Sequence, residues 1–179
     1  MIVVEPEDIS LFRQAGKLAG QVLEELIKLV EPGITTFELD QAAEKMILDA
    51  GAIPTFKGYR NFPATICASV NEEVVHGIPS KHKVLKEGDI ISMDLGVTKR
   101  RHTNGKQQDF IGDTAVTVPV GKISSRLEKL LADTQASLYA GIKAARAGAT
   151  LDEVAAGIED IALSNNYGIV REYGGHGIG

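Results

Sequence analysis

The segment DIISMDLGVTKRRHTNGKQQDFIGDTAVTV, residues 89–118, decides the fold that the sequence predicts. Two runs rich in apolar and β-branched residues, 89–97 and about 110–118, are typical of strands. Between them lies a polar segment, residues 99–109, in which Asn104-Gly105 is the best turn candidate because both residue types tolerate positive φ. The sequence therefore predicts two antiparallel strands joined by a long polar loop.

Each of these strands carries one aspartate, Asp94 or Asp113. With Asn104-Gly105 at the tip, Asp94 faces Ala115, and Asp113 lies diagonal to Asp94 on the same face, with about 7–8 Å between the backbones. An aspartate inside an apolar strand must be paired, protonated or bound to metal, and neither strand contains a cation. Two interpretations stay open: solvated aspartates at strand ends or turns, or a pair of metal ligands.

A histidine stands among four glycines in GGHGIG, residues 174–179. The preceding IVREY, residues 169–173, predicts a strand that delivers His176 to a site, whereas the alternative is a glycine-rich tail without order. With Asp94 and Asp113, His176 would complete a mixed oxygen and nitrogen ligand set. Such a set suits Mn, Fe, Co or Zn better than Ca or Mg.

Two amphipathic helices open the chain. Apolar residues at helical spacing run over residues 7–30, and a capping box of Thr35 and Glu38 begins a second helix that ends at Gly51. A further strand is predicted within residues 64–70.

The helix pair recurs after an offset of 115 residues. The four-residue connection that ends at Thr35 aligns with the one that ends at Thr150, and capping Glu38 aligns with Glu153. The shared loop, caps and spacing favour a duplicated α+β unit. The predicted domain spans residues 1–179, with copies at about 9–123 and 124–179. The second copy stops before the counterparts of the two aspartates, so the chain is predicted to be roughly two-thirds of a whole domain, with its C-terminal part missing.

Composition is that of a globular protein, with 44% hydrophobic residues and a mean hydropathy near zero. No apolar run approaches the roughly 20 residues of a membrane span, and the start MIVVEPED lacks the regions of a signal peptide, so we expect a cytoplasmic protein without a membrane partner. The net charge of −5 does not favour nucleic-acid binding, and the basic cluster KRRH at 99–102 is interpreted as a solvated loop tip. The single cysteine, Cys67, excludes an internal disulfide.

The other histidines and a group of aromatic residues are weaker candidates. His76 follows a short apolar run in NEEVVHGIP, residues 71–79, where it is either a structural turn residue or part of a site. His82 and His102 lie in polar, basic surroundings and are interpreted as solvated. Candidate pocket residues, which ordinary core packing would also explain, are Phe56, Tyr59, Phe62 and Cys67. In a small apolar pocket the cysteine would be a wall atom rather than a nucleophile.

From Ile9 onward, four segments occur in the order found in a known family: SVNEEVVHGIP, GDIISMDLGV, GDTAVT and VREYGGHGIG. On these segments the chain resembles the type I methionine aminopeptidases. The resemblance implies the pita-bread fold, in which two pseudo-symmetric α+β halves surround a dinuclear metal site, with the second half incomplete here. It also implies removal of the initiator methionine from nascent proteins, and thereby a place near the ribosome.

The resemblance also implies roles for individual residues. Asp94 would chelate one of two divalent ions (Co, Mn, Fe or Zn), Asp113 would bridge both, and His176 would bind the second. His76 would be a catalytic histidine that positions the substrate. The methionine side-chain pocket would be lined by Phe56, Tyr59, Phe62 and Cys67.

Two departures from the family pattern bear on activity. The segment at 99–109 is longer than the usual hairpin of the family, so its tip is expected to cover the site or to make contacts of its own. Two glutamate ligands and a second catalytic histidine follow GHGIG in the family and are not assigned here, so the 179-residue chain is expected to be inactive and poorly metallated. The alternatives are a non-catalytic pita-bread binding or regulatory module and, less favoured, a relative acting on X-Pro or creatine-like substrates.

Overall fold

The computed structural model describes residue 3 and residues 5–178. The chain divides into two units: the first comprises the residues up to Ile123 together with residues 177 and 178, and the second spans Ser124–His176. No helix of the described residues is long and apolar enough to cross a membrane.

Two helices form one layer of the first unit. Helix α1 spans Pro6–Leu29, and helix α2 spans Thr36–Asp49. Both confirm the predicted helices within one or two residues. The capping box at the start of α2 is also confirmed, because Glu38 N–H donates to Thr35 Oγ1 (3.2 Å) and Thr35 N–H donates to Glu38 Oε2 (2.8 Å).

An antiparallel sheet forms the other layer. Its strands are β1 (Ile53–Pro54), β2 (Ile66–Val70), β3 (Ile90–Thr103) and β4 (Lys106–Pro119). Strand β3 is central, because β4 pairs with its whole length while β1 and β2 pair with shorter stretches of it. One face of this sheet packs against the two helices.

The β3–β4 hairpin has the predicted turn and register. Asn104 (φ 53°) and Gly105 (φ 73°) form its tip, Asp94 pairs with Ala115, and Asp113 pairs with Gly96. Positive φ at both central residues matches the right-handed twist of the flanking strands. The two aspartates therefore lie diagonally on the same face of the sheet.

The prediction of a long polar loop at 99–109 is wrong, and so is the interpretation of KRRH as a loop tip. These residues extend β3 and β4 up to the two-residue turn. Their polar side chains pair across the strands: the Arg100 guanidinium donates to both carboxylate oxygens of Asp109, at 2.6 and 2.8 Å. Arg101 stacks over Phe110, 5.1 Å from the ring centroid, and forms an ion pair with Asp8 of α1 at 2.7 Å. A hairpin arm held by such cross-strand pairs needs no apolar alternation, which is why its sequence is typical of a loop.

The hydrophobic core lies between the helices and one sheet face. Alternation along β3 turns Ile91, Met93, Leu95 and Val97 towards α1 and α2, where each is fully buried. The same alternation places Asp94 and its neighbours two residues away on the opposite face.

The second unit consists of helices α3 (Ser125–Ala144) and α4 (Leu151–Ser164). A second capping box, formed by Thr150 and Glu153, begins α4. The ends of α3 and α4 and the start of α4 fall 115 residues after those of α1 and α2, which is the offset of the predicted repeat. The predicted strand at IVREY is wrong, since residues 167–178 adopt no regular secondary structure; no strand pairs with this segment among the described residues, and an unpaired strand is not stable.

Candidate metal and substrate site

Two carboxylates and a thiol meet on the open face of the sheet. Cys67 of β2 is the direct cross-strand partner of Asp94, and Asp113 lies one diagonal step away on β4. Asp94 is half-buried and Asp113 is exposed. The negative charges of both carboxylates help to raise the pKa of the Cys67 thiol.

The Cys67 thiol stays protonated at neutral pH. The side chain is buried, and burial, followed by the negative charges of Asp94 and Asp113, raises its pKa to about 12. A hydrogen bond from the His76 backbone acts in the opposite direction without reversing the shift. Because the thiolate is the nucleophilic form, Cys67 has the character of a wall residue.

His76 lies beside Cys67, on a segment that runs along the outer edge of β2. Its backbone adopts a φ of 58° and makes the hydrogen bond to the thiol. Gly77 follows at a position where a Cβ would lie 2.4 Å from the backbone oxygen of Ala68, so only glycine fits. His76 is exposed, so its imidazole is accessible to a substrate at this end of β2.

Of the three aromatic residues predicted to line a pocket, Phe56 reaches the open sheet face. Its ring lies over Gly96, where an added Cβ would be 2.8 Å from Phe56 Cε1. Tyr59 is 63% exposed and lies under the Arg60 guanidinium at 5.5 Å. Phe62 is half-buried and accepts the Gly58 N–H at 2.8 Å through its carbonyl. Since Gly96 pairs with Asp113, Phe56 supplies an apolar wall next to the carboxylates.

The predicted nitrogen ligand belongs to the other unit. His176 is exposed in the irregular segment that ends the second unit, and its membership in a metal site stays a prediction. Within the part of the chain that the structure describes, no group of three or more His, Cys, Asp or Glu residues is arranged to hold a metal ion. His82 and His102 are exposed.

The chemistry of the donor set fits a divalent cation. Two carboxylates of adjacent strands share a face, and the Asp113 carboxylate has no lysine or arginine partner among the described residues. Carboxylate oxygens bind hard and borderline divalent ions. The role of the two aspartates as metal ligands stays a prediction.

Sequence reasoning did not identify the groups that support this site. Ser69 follows Cys67 by two residues, so strand alternation places both side chains on the open face. This spacing is the signal in the sequence that indicates Ser69 as a residue of the site. The hydroxyls of Thr55 and Thr98 lie 2.8 Å apart and fix the chain before Phe56. That pair joins residues distant in sequence, and no local pattern indicates it.

Comparison with known proteins places this geometry in a family. Residues 10–179 match metallopeptidase family M24. The whole chain is 47% identical to a methionine aminopeptidase of Clostridium acetobutylicum and 45% identical to methionine aminopeptidase 1 of Bacillus subtilis, and it spans 69% and 68% of their lengths.

Solved structures agree. The crystal structure of methionine aminopeptidase from Rickettsia prowazekii matches 99% of this chain, and the match covers 68% of that chain, with a TM-score of 0.89 and 35% identity. An Xaa-Pro dipeptidase from Bacillus anthracis shares the fold at a TM-score of 0.74 and 21% identity. The expected pita-bread fold is confirmed, and the chain belongs to metallopeptidase family M24 and, within it, to the methionine aminopeptidases.

Proposed function

We propose that this chain contributes Asp94 and Asp113 to a dinuclear metal centre that removes the N-terminal methionine from peptides. The observation that carries this proposal is the register of the hairpin, which places both carboxylates diagonally on one face. Family M24 consists of metallopeptidases, which use divalent metal ions. We assign two ions of Co, Mn, Fe or Zn, with His176 as the nitrogen ligand.

The residues around the carboxylates suit a small apolar side chain. Phe56 over Gly96 and the protonated Cys67 thiol form apolar walls, with Tyr59 and Phe62 on the same loop. An unbranched thioether such as methionine fits a pocket of this character. The exposed imidazole of His76 is placed to hydrogen-bond the peptide, and metal ions held by the aspartates would supply Lewis-acid polarisation and activation of water.

Metal binding tests the assignment. Co²⁺ affinity is measured by titration calorimetry on the chain and on Asp94→Asn and Asp113→Asn, with Asp109→Asn as the matched control on the same face of β4. Asp109 is paired with Arg100, so its loss should leave Co²⁺ affinity unchanged, whereas each of the other two substitutions should weaken it about tenfold or more. Equal effects of all three substitutions would contradict the proposal.

We propose that the 179-residue chain is by itself inactive towards methionyl peptides. The proposal is supported by the small size of the proposed ligand set, because Asp94, Asp113 and His176 alone supply too few ligands for two metal ions. Turnover of a methionyl peptide with Co²⁺ or Mn²⁺ by the monomeric chain would overturn it. The same observation favours a second candidate, a non-catalytic module, which would bind methionyl peptides independently of metal. In either case the proposed substrates are nascent proteins in the cytoplasm, close to the ribosome.

A further inference from the structure

The backbone of His76 adopts a conformation that its residue type disfavours. Its φ of 58° lies in the left-handed region, which residues with a Cβ rarely occupy. Such a conformation persists only where neighbouring contacts determine it. The contacts on either side of His76 therefore fix the backbone position from which its imidazole projects.

On the C-terminal side, Gly77 is bound through both of its backbone groups. Its N–H donates to Ser69 Oγ at 3.0 Å, and its carbonyl accepts the Ala68 N–H at 2.8 Å. Ser69 is only 3% exposed, so water cannot replace its hydroxyl as the acceptor. The two bonds fasten Gly77 against the edge of β2.

On the N-terminal side, Glu73 fastens the start of the same segment. Its carboxylate accepts the Val70 N–H at 2.8 Å and the Lys83 ammonium at 2.5 Å. Burial raises the pKa of Glu73, but the hydrogen bonds from Lys83 and Val70 outweigh it and lower the pKa below its ordinary value. Glu73 is therefore ionised at neutral pH and holds this end of the segment.

We propose that Ser69 is a positioning residue for His76. The Ser69 hydroxyl accepts the Gly77 N–H, and Gly77 in turn fixes the backbone of His76. His76 thereby lies beside Cys67, which is the cross-strand partner of Asp94. This proposal rests on the proposed function, because it assigns to Ser69 the orientation of the histidine that meets the substrate.

The test compares two serines that face each other across β2 and β3. Ser69→Ala removes the acceptor of Gly77, whereas Ser92→Ala removes a hydroxyl of the same face that is bonded to Thr117 at 2.7 Å. Side-chain ¹H–¹⁵N spectra follow the His76 imidazole at constant neutral pH without metal, and hydrogen exchange follows the Gly77 amide. In Ser69→Ala the Gly77 amide should exchange about fivefold to tenfold faster, the factor expected for one hydrogen bond, and the His76 signals should shift. Ser69→Thr should restore both, and Ser92→Ala should change neither.

A second variant guards against a general loss of structure. Gly77→Ala leaves Ser69 intact but places a Cβ against Ala68, so it should displace the His76 signals in the same way. The exchange of the buried Met93 amide reports whether the sheet itself has changed. Unchanged His76 signals in Ser69→Ala, whatever Gly77→Ala shows, or failure of Ser69→Thr to restore them, would overturn the proposal. Because no metal or peptide is present, these results do not depend on whether the Co²⁺ titration succeeds.

Discussion

Replacement of Gly112 by alanine should force helix α1 away from the sheet. A Cβ at Gly112 would lie 2.5 Å from the backbone carbon of Ala15 and 2.5 Å from the nitrogen of Gly16. These are backbone atoms in the middle of α1, so no rotamer change can relieve the overlap. Gly112 immediately precedes Asp113, so any shift of β4 at this point also moves a predicted metal ligand.

The expected cost follows from overpacking, about 1–3 kcal/mol of unfolding free energy. With a urea m-value of about 2 kcal/mol/M, the midpoint should fall by roughly 0.5–1.5 M. Gly16→Ala is the matched control, because its Cβ would have no atom within 4 Å and alanine is the better helix former by about 0.5–1 kcal/mol. The two substitutions lie on the same helix–sheet contact and should act in opposite directions.

Unfolding is best followed by NMR signals of β3, since the chain has two units and a global probe would mix them. The amides of Met93 and Leu95, both fully buried, report on the first unit alone. A Gly112→Ala variant as stable as the parent chain would refute the close approach of α1 to β4. Equal destabilisation by Gly16→Ala would show that the effect is not specific to that approach.

Three further predictions concern the helix caps, the buried thiol and a buried carboxylate. Thr35→Ala and Thr150→Ala should each cost about 1 kcal/mol in urea unfolding followed at α2 and α4, respectively, while serine at either position should preserve the cap; no loss would mean that the capping boxes are absent in solution. Cys67, 5% exposed and with its pKa raised to about 12, should react with iodoacetamide at neutral pH far more slowly in the folded chain than in urea, and equal rates would contradict its burial. Burial raises the pKa of Asp40 above its ordinary value, so the folded state holds this proton more tightly than the unfolded state does. Relative to Asp40→Asn, the parent chain should therefore lose stability as the pH rises from the ordinary pKa through the raised pKa. A stability difference between the two chains that is independent of pH would refute this.

The turn and the register of the β3–β4 hairpin could be predicted from the sequence, although its polar arm has the composition of a loop. Asn104-Gly105 identified the turn, and strand parity then gave the correct partner of Asp94. The prediction was wrong at Arg100 and Arg101, because a run of charged residues has the composition of a loop, whereas here Asp109 on the paired strand neutralises Arg100 and Asp8 on helix α1 neutralises Arg101. Local composition does not reveal whether a charge has a cross-strand partner.

The capping boxes were predictable for a different reason. Thr35 with Glu38 and Thr150 with Glu153 are local pairs, three residues apart, so their structure depends on nothing distant. The strand expected just before His176 depended instead on a partner strand, which the local sequence does not specify. The hydrogen bond from the Gly77 N–H to Ser69 Oγ joins residues that are eight positions apart and separated by a turn. The periodicity of a helix or a strand therefore does not predict it.

Stability and chemistry are coupled in β3 through the alternation of its side chains. The register that buries Met93 and Leu95 under the helices necessarily turns Asp94 to the opposite face, beside Cys67 and diagonal to Asp113. A slip of one residue would expose the core side chains and bury the carboxylate, so the hydrophobic cost of the slip protects the site. The two-residue turn sets this register from the far end of the hairpin, although none of its atoms approaches the carboxylates. The long polar arm of the hairpin therefore contributes to the candidate site by fixing the pairing of β3 and β4. The packing of the core against one face of the sheet keeps Asp94 on the opposite, open face.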